Sequence, residues 1–168
     1  ALGYIPVNFS ELGVTAMSVS AYKVGGPVGV GALVLSRPAP ELSALVHGGD
    51  QQRGRSGTLD TAGVVGFAAA LELREQLRLE HAEGLRSLRD SLRSQLCAAV
   101  PEIEVRGSLD ARLPGNLHIT VPGCEGDVLL YLLDQHGIQV STGSACQAGV
   151  PEASHVLLSM GLPEETAR

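Results

Sequence analysis

A long helical pattern over residues 62–99 constrains the fold more than any other feature of this 168-residue chain. Apolar residues recur there at helical spacing, and charged residues separate the leucines of its second half (Leu77, Leu85, Leu88, Leu92 and Leu96). A helix of this length often bridges two lobes. We therefore predict three parts, which are residues 1–61, a bridging helix over 62–99 and a small α/β domain over 100–168.

Shorter patterns on both sides of this helix predict an α/β protein. Before it, apolar runs bounded by turn residues predict strands over 4–7, 14–19 and 32–35. After it, strand and helix patterns alternate, which favours a small α/β lobe. The predicted strands there cover 102–106, 116–121 and 138–141, and the predicted helices cover 126–136 and 153–159.

Composition excludes several classes of function. Hydrophobic residues make up 44% of the chain and charged residues 18%, so we expect a folded core. The net charge of −6 and the lack of a basic run argue against nucleic-acid binding, and no apolar stretch is long enough to predict a membrane span. Three cysteines without a CxxC motif argue against a zinc or other metal site and fit a reducing, cytoplasmic location.

Lys23 is the only lysine in the sequence. A lysine amine can lose its proton and form an imine, whereas an arginine guanidinium cannot. The segment that follows contains four glycines and a proline, which leave the backbone open to the close approach of a ligand (Gly25, Gly26, Pro27, Gly29 and Gly31). We predict covalent chemistry at Lys23; the alternative is a surface lysine before a glycine-rich turn.

Residues 47–58 form a glycine-rich polar loop with the donors that anion binding needs. Two arginines, Ser56 and Thr58 lie in this loop, and the residues at 59–61 predict the start of the long helix. A phosphate near that helix start would be well placed. The alternative is a solvated linker.

Cys146 lies in a loop of small residues over 140–151 that leaves its thiol unshielded. Such a thiol is exposed to oxidation unless it is used, and its thiolate is a strong nucleophile. We predict a nucleophilic role, with a chance loop cysteine as the alternative. Cys97 is predicted to be a buried hydrophobic residue, and Cys124 before the predicted helix at 126–136 to be incidental.

Three motifs taken together resemble those of the cysteine desulfurases, which are NifS-like, pyridoxal-phosphate (PLP) enzymes of the class V aminotransferase group. The motifs, in chain order, are SAYK at 20–23 with GP at 26–27 and GVGAL at 29–33, RGRSGT at 53–58, and STGSAC at 141–146. The resemblance covers essentially the whole chain. The last motif is similar to the loop of the subgroup dominated by iron–sulfur cluster assembly enzymes.

The resemblance implies a role for each matched residue. Lys23 is expected to hold PLP as a Schiff base and to move protons at the substrate carbon, and Ser20 to bind the cofactor phosphate. Thr58 is expected to reach the phosphate of a partner subunit in a homodimer. Cys146 is expected to attack the sulfur of the substrate L-cysteine, leaving L-alanine and a persulfide that passes to an acceptor protein or thiol.

The implied fold is fold type I of the PLP-dependent transferases. Residues 1–61 would then be the end of the large PLP-binding domain, and residues 100–168 most of the small domain. Tyr22 stands where the family usually has histidine, and we expect it to be a weaker phosphate ligand. The family's ring-stacking residue, its pyridinium partner and its substrate-binding arginine match no position here, so we expect this chain by itself to be inactive.

Two rival interpretations stay open. One is another class V enzyme, such as a selenocysteine lyase or an aminotransferase-like enzyme. The other is a non-catalytic interaction module that keeps the dimer surface and does not use the cofactor.

Overall fold

The computed structural model describes residues 1–49, 54–143 and 152–167 and divides the chain into two compact units. The first unit contains Ala1–Arg89 with Leu113–Gly115, and the second contains Asp90–Arg112 with Asn116–Arg168. The division into a large-domain part, a bridging helix and a small domain remains a prediction. In the part of the chain that is described, no helix has the length and apolar character that crossing a membrane requires.

The first unit combines a two-stranded sheet with most of one long helix. Strands β1 (Ala16–Ser20) and β2 (Gly31–Leu35) pair antiparallel, with Ala16 opposite Leu35 and Ser20 opposite Gly31. Helix α1 covers Thr61–Ala99, so the helix predicted over 62–99 is confirmed to within one residue at its start. Its regular apolar spacing over many turns is what made it predictable.

The N-terminal residues form a turn where a strand was predicted over 4–7. The backbone N–H groups of Tyr4 and Ile5 both donate to the Ala1 carbonyl at 3.0 Å, and Gly3 has a φ of +79°. Pro6 has no N–H to offer a neighbouring strand. The strand prediction was wrong because these local hydrogen bonds and the proline outweigh the apolar pattern.

The second unit is built from short elements. Strands β3 (Glu104–Val105) and β4 (Ile119–Thr120) pair antiparallel, and helices α2 (Gly126–Gln135) and α3 (His155–Ser159) follow. A 3-10 turn at Glu164–Thr166 comes after α3. Ala167 and Leu157 are buried, and the Ser154 N–H donates to the Ala167 carbonyl at 2.7 Å.

Residues 138–141 have irregular structure where a strand was predicted. The Ile138 N–H donates to the Leu133 carbonyl at 3.0 Å, and Gly137 has a φ of +72°. The end of helix α2 thus uses the first donor of the predicted strand. The two strands predicted over 102–106 and 116–121 are shortened to the two residue pairs of β3 and β4.

Candidate functional site

Lys23 lies in a single 3-10 turn directly after strand β1. We call Ala21–Val24 the lysine turn. Residues three apart lie above one another in a 3-10 helix. Ala21 and Val24 therefore share one face, and both are buried, with 0% and 3% of their surface exposed. Tyr22 and Lys23 are exposed, so the turn presents the lysine to solvent while its opposite face lies in the core.

The buried face of the lysine turn packs on helix α1. Ala21 and Val24 form a core cluster with Phe67, and partly buried apolar residues surround it (Leu2, Val19, Val30 and Leu71). The Ala21 N–H also donates to the Val30 carbonyl at 3.0 Å, which continues the β1–β2 pairing into the turn. The lysine turn is thereby fixed to the sheet and to the helix.

The glycine loop, residues 25–30, closes the turn and then runs against helix α1. The Gly25 N–H donates to the Tyr22 carbonyl at 3.2 Å, and the Gly26 N–H to the Ala21 carbonyl at 2.9 Å. Gly25 has a φ of +86°, a conformation that glycine adopts without steric cost.

Several glycines in and around this loop serve packing within the protein. A Cβ at Gly26 would lie 3.1 Å from the Ala21 Cβ, and a Cβ at Gly31 would lie 2.7 Å from the Val19 carbonyl oxygen. On helix α1, Gly66 lies against the Pro27 ring. The sequence analysis predicted that these glycines make room for a ligand. At these positions the room is instead filled by other residues of the protein.

Three of the predicted cofactor-binding residues come together at the lysine turn. Ser20 is half-buried at the end of β1, Tyr22 and Lys23 follow it, and the Lys23 Nζ lies 5.9 Å from the centre of the Tyr22 ring. The site thus offers one amine and two hydroxyl groups within four consecutive residues. An amine can bond covalently to an aldehyde, and hydroxyl groups can donate to a phosphate, so this set of donors suits PLP.

The described part of the predicted anion-binding loop is ordered by its own hydrogen bonds. Val46 and Arg55 form an isolated parallel bridge, and both the N–H and the Oγ of Ser56 donate to the Val46 carbonyl at 3.0 Å. The Arg55 Nη1 donates to the Ser56 carbonyl at 3.2 Å. Ser56 is buried and holds the loop together, which differs from its predicted use as an anion donor, whereas Thr58 is exposed. Arg53 lies outside the described residues.

The start of helix α1 is capped by the protein itself. The Asp60 carboxylate accepts a hydrogen bond from the Gly63 N–H at 3.0 Å, as an N-cap residue does. A side chain of the protein therefore already uses the Gly63 N–H, and the phosphate predicted near this helix start stays a prediction. The N-cap predicted from residues 59–61 is confirmed.

Cys146, the predicted nucleophile, lies outside the described residues, which resume at residue 152. The last side chain with a contact before this gap is Thr142, whose hydroxyl donates to the Asp127 carboxylate at 3.0 Å. Asp127 lies in the first turn of helix α2. Thr142 is therefore tied to the beginning of α2. Of the described cysteines, Cys124 is exposed and Cys97 is half-buried.

A cluster of basic side chains surrounds the β3–β4 pair. The Arg106 Nε donates to the Thr120 hydroxyl at 2.8 Å, and the Arg112 Nη2 donates to the carbonyls of Arg106 and Gly107 at 2.8 and 3.0 Å. Burial lowers the pKa of His118, and the positive charges of Arg106 and Arg112 lower it further. His118 is half-buried beside these two arginines.

Arg74 is a residue of the lysine site that the sequence analysis missed. It is half-buried on helix α1, and its Nε donates to the Val24 carbonyl, the last residue of the lysine turn, at 3.3 Å. The sequence does indicate that Arg74 lies on the buried face of α1, because it follows Phe67 and Leu71 at the spacing of one helix face. An arginine on an otherwise apolar stripe indicates a buried polar contact.

Comparison with known proteins identifies the class. The class-V aminotransferase family model matches residues 1–167, and the chain belongs to this family. Several relatives of the chain are cysteine desulfurases. It is 48% identical to the IscS-like cysteine desulfurase of Mycobacterium tuberculosis, covering 100% of this chain and 43% of that protein. It is 43% identical to the cysteine desulfurase IscS of Clostridium botulinum, covering 99% of this chain and 43% of that protein.

Solved structures agree on the fold. A NifS-like protein superposes with a TM-score of 0.82 at 34% identity, covering 99% of this chain and 42% of its own. A NifS-like protein from Rickettsia africae gives the same TM-score at 32% identity, covering 99% of this chain and 43% of its own. The predicted α/β fold, part of PLP-dependent fold type I, is confirmed. The chain spans less than half the length of the relatives it matches.

Proposed function

We propose that this chain is part of a PLP-dependent cysteine desulfurase. The enzyme converts L-cysteine and an acceptor thiol to L-alanine and a persulfide, and it supplies sulfur for iron–sulfur clusters or thio-cofactors. Family membership supports the reaction class, and the IscS-like relatives support this sulfur-supply role. A cytoplasmic location is part of the proposal, because a catalytic thiol needs a reducing compartment.

The observation that carries the proposal is the presentation of Lys23. It is the only lysine of the chain, and it is exposed on a turn whose other face is held in the core by Ala21 and Val24. A side chain that serves only for solubility does not need such a fixed backbone. An amine that must meet one carbon atom of a cofactor does, because misplacement slows the reaction.

Lys23 and its neighbours would hold the cofactor and move protons. PLP, when bound, supplies an electron sink for reactions at the substrate α-carbon. The Lys23 amine would hold the cofactor through its aldehyde group and would move a proton at the substrate α-carbon. The hydroxyl groups of Ser20 and Tyr22 donate to the phosphate, with Tyr22 in the position where the family usually has histidine.

Cys146 would perform the sulfur transfer. Its thiolate attacks the sulfur of the substrate cysteine, so that a sulfur–sulfur bond forms and the substrate carbon–sulfur bond breaks. The electron pair of the broken bond returns to the substrate carbon, which is protonated to give alanine. Thiol exchange then passes the outer sulfur to the acceptor and regenerates the Cys146 thiol.

We also propose that two copies of the chain pair around Thr58. Thr58 is exposed, and so are apolar side chains close to it in sequence, among them Leu59, Val64 and Val65. Exposed apolar residues close together are typical of a protein–protein interface. In the dimer, the Thr58 hydroxyl would donate to the phosphate held by the partner subunit.

The test is alanine formation from L-cysteine by the full-length natural protein with PLP and dithiothreitol. Lys23→Ala is expected to abolish alanine formation and the visible absorbance of the bound cofactor. Cys146→Ser is expected to keep the absorbance and to lose sulfur transfer. Cys124→Ser is the matched control, because it removes an exposed thiol from another loop and is expected to keep full activity.

Three outcomes contradict the proposal or part of it. Alanine formation that survives in Cys146→Ser places the nucleophile elsewhere. Turnover of L-selenocysteine but not of L-cysteine favours the selenocysteine lyase alternative. A full-length protein that binds no PLP favours the non-catalytic module.

A further inference from the structure

The lysine turn is held at its C-terminal end by one long side chain from helix α1. The Arg74 Nε donates to the Val24 carbonyl at 3.3 Å, fifty positions away in the sequence. Val24 follows Lys23 directly and is 3% exposed. The hydrogen bond therefore acts at the Val24–Gly25 peptide group, one residue after the lysine and at a buried position.

The rest of the Arg74 side chain is fixed by two other segments. Its stem packs against the N-terminal turn, because a Cβ at Gly3 would lie 3.3 Å from the Arg74 Cβ. The guanidinium carbon lies 5.3 Å from the centre of the Tyr4 ring, which is cation–π distance. Arg74 thus connects helix α1, the N-terminal turn and the lysine turn, all within the first unit.

A third contact fixes the orientation of the guanidinium. The Arg74 Nη1 lies 3.4 Å from the His81 Nδ1, two turns further along helix α1. Arginine has only donors, so the His81 Nδ1 is the acceptor in this contact. With Nη1 and Nε directed to different partners, the planar guanidinium is held in one orientation, which lysine could not reproduce.

We propose that Arg74 is a positioning residue for Lys23 and acts through the Val24 carbonyl. The role rests on the proposed function, since it gives Lys23 a fixed place from which to bond to PLP. Without the guanidinium, the last peptide of the lysine turn loses its partner on helix α1. PLP binding must then order the turn as well, and affinity falls.

The test compares Arg74→Met with Arg78→Met in the full-length natural protein. Methionine keeps an unbranched apolar stem for the contact at Gly3 and removes the donors. Arg78 lies one turn further along α1 and donates to the Glu75 carboxylate at 2.9 and 3.0 Å, not to the lysine turn. Three quantities are measured. They are the dissociation constant of PLP, the pH midpoint of the cofactor absorbance, and amide hydrogen exchange in the protein without PLP.

Arg74→Met is expected to weaken PLP binding about tenfold, since the loss of one charged hydrogen bond is of that order. It is also expected to shift the pH midpoint of the cofactor absorbance and to speed hydrogen exchange at the N–H groups of Gly25 and Gly26, which close the turn. Arg78→Met is expected to match the wild type in all three measurements. Arg74→Lys is expected to recover less than half of the lost PLP affinity. It restores the charge but not the planar guanidinium, which donates to two partners at once.

The outcomes separate this inference from the proposed function. If Arg74→Met lowers only the melting temperature and keeps the wild-type affinity, pH midpoint and exchange rates, Arg74 is merely structural and the inference is overturned. If the wild type itself binds no PLP, the proposed function fails. In that case, faster exchange at Gly25 and Gly26 in Arg74→Met still supports the contact with the lysine turn, and unchanged exchange overturns it.

Discussion

Replacing Gly66 by alanine tests the packing that fixes the glycine loop on helix α1. The added Cβ would lie 2.8 Å from the Pro27 Cγ and 3.3 Å from its Cδ. Carbon atoms in contact normally lie about 3.5–4.0 Å apart. The proline ring cannot rotate away, so either the helix or the loop has to move. Overpacking of this kind costs about 1–3 kcal/mol.

Gly84→Ala provides the matched control on the same helix. Gly84 is exposed, and a Cβ there meets nothing within 4 Å. Both substitutions gain about 0.8–1 kcal/mol from the better helix propensity of alanine. We expect Gly84→Ala to stabilise the protein by about that amount and Gly66→Ala to destabilise it by about 0–2 kcal/mol. Their difference, about 1–3 kcal/mol, isolates the contact with Pro27.

The assay is urea denaturation of the full-length protein without PLP, followed by far-ultraviolet circular dichroism. The free energy of unfolding is compared among the wild type, Gly66→Ala and Gly84→Ala. PLP affinity is measured in parallel, and we expect it to fall only in Gly66→Ala, because Pro27 lies in the loop that follows Lys23. If Gly66→Ala is as stable as Gly84→Ala, the reasoning about this contact is refuted.

Two further predictions concern stability. Asp60→Ala is expected to lower the free energy of unfolding by about 1 kcal/mol in urea denaturation, because the Gly63 N–H loses its acceptor, whereas Asp60→Asn should stay close to the wild type. The pKa of His118 lies below its ordinary value of 6.5 because of burial and two nearby arginines, so the unfolded chain takes up this proton first as the pH falls. The contribution of His118 to the free energy of unfolding is therefore complete above about pH 6.5 and declines below it. Thermal unfolding of His118→Gln between about pH 7 and pH 5 should depend less on pH than that of the wild type. An equal dependence would contradict the assignment.

The parts of the fold that follow from local pattern could be predicted from the sequence. Helix α1 has a regular apolar spacing over many turns, and β1 and β2 are short apolar runs joined by a glycine-rich segment. The strands predicted over 4–7 and 138–141 depended on apolar character alone. Hydrogen bonds from Ile5 and Ile138 to neighbouring carbonyls decided their conformation, and a count of apolar residues does not contain that information.

The candidate site was predictable where it depends on residue type. Lys23 was identified because it is the only lysine, and an amine has chemistry that arginine lacks. The role of Ser56 could not be predicted, because its hydroxyl donates to a carbonyl ten positions earlier, a contact that exists only once the loop has folded. The position of Arg74 was visible in the helix pattern, but its partner at Val24 required the tertiary structure.

The most direct test of the account is to locate the residue that bonds to PLP. The full-length protein is incubated with PLP, reduced with borohydride, digested and mapped by mass spectrometry. The account predicts one pyridoxyl group, on Lys23, which disappears in Lys23→Ala. A pyridoxyl group on a different lysine of the natural protein, or no pyridoxyl group at all, would contradict the assignment of Lys23 and with it the proposed function.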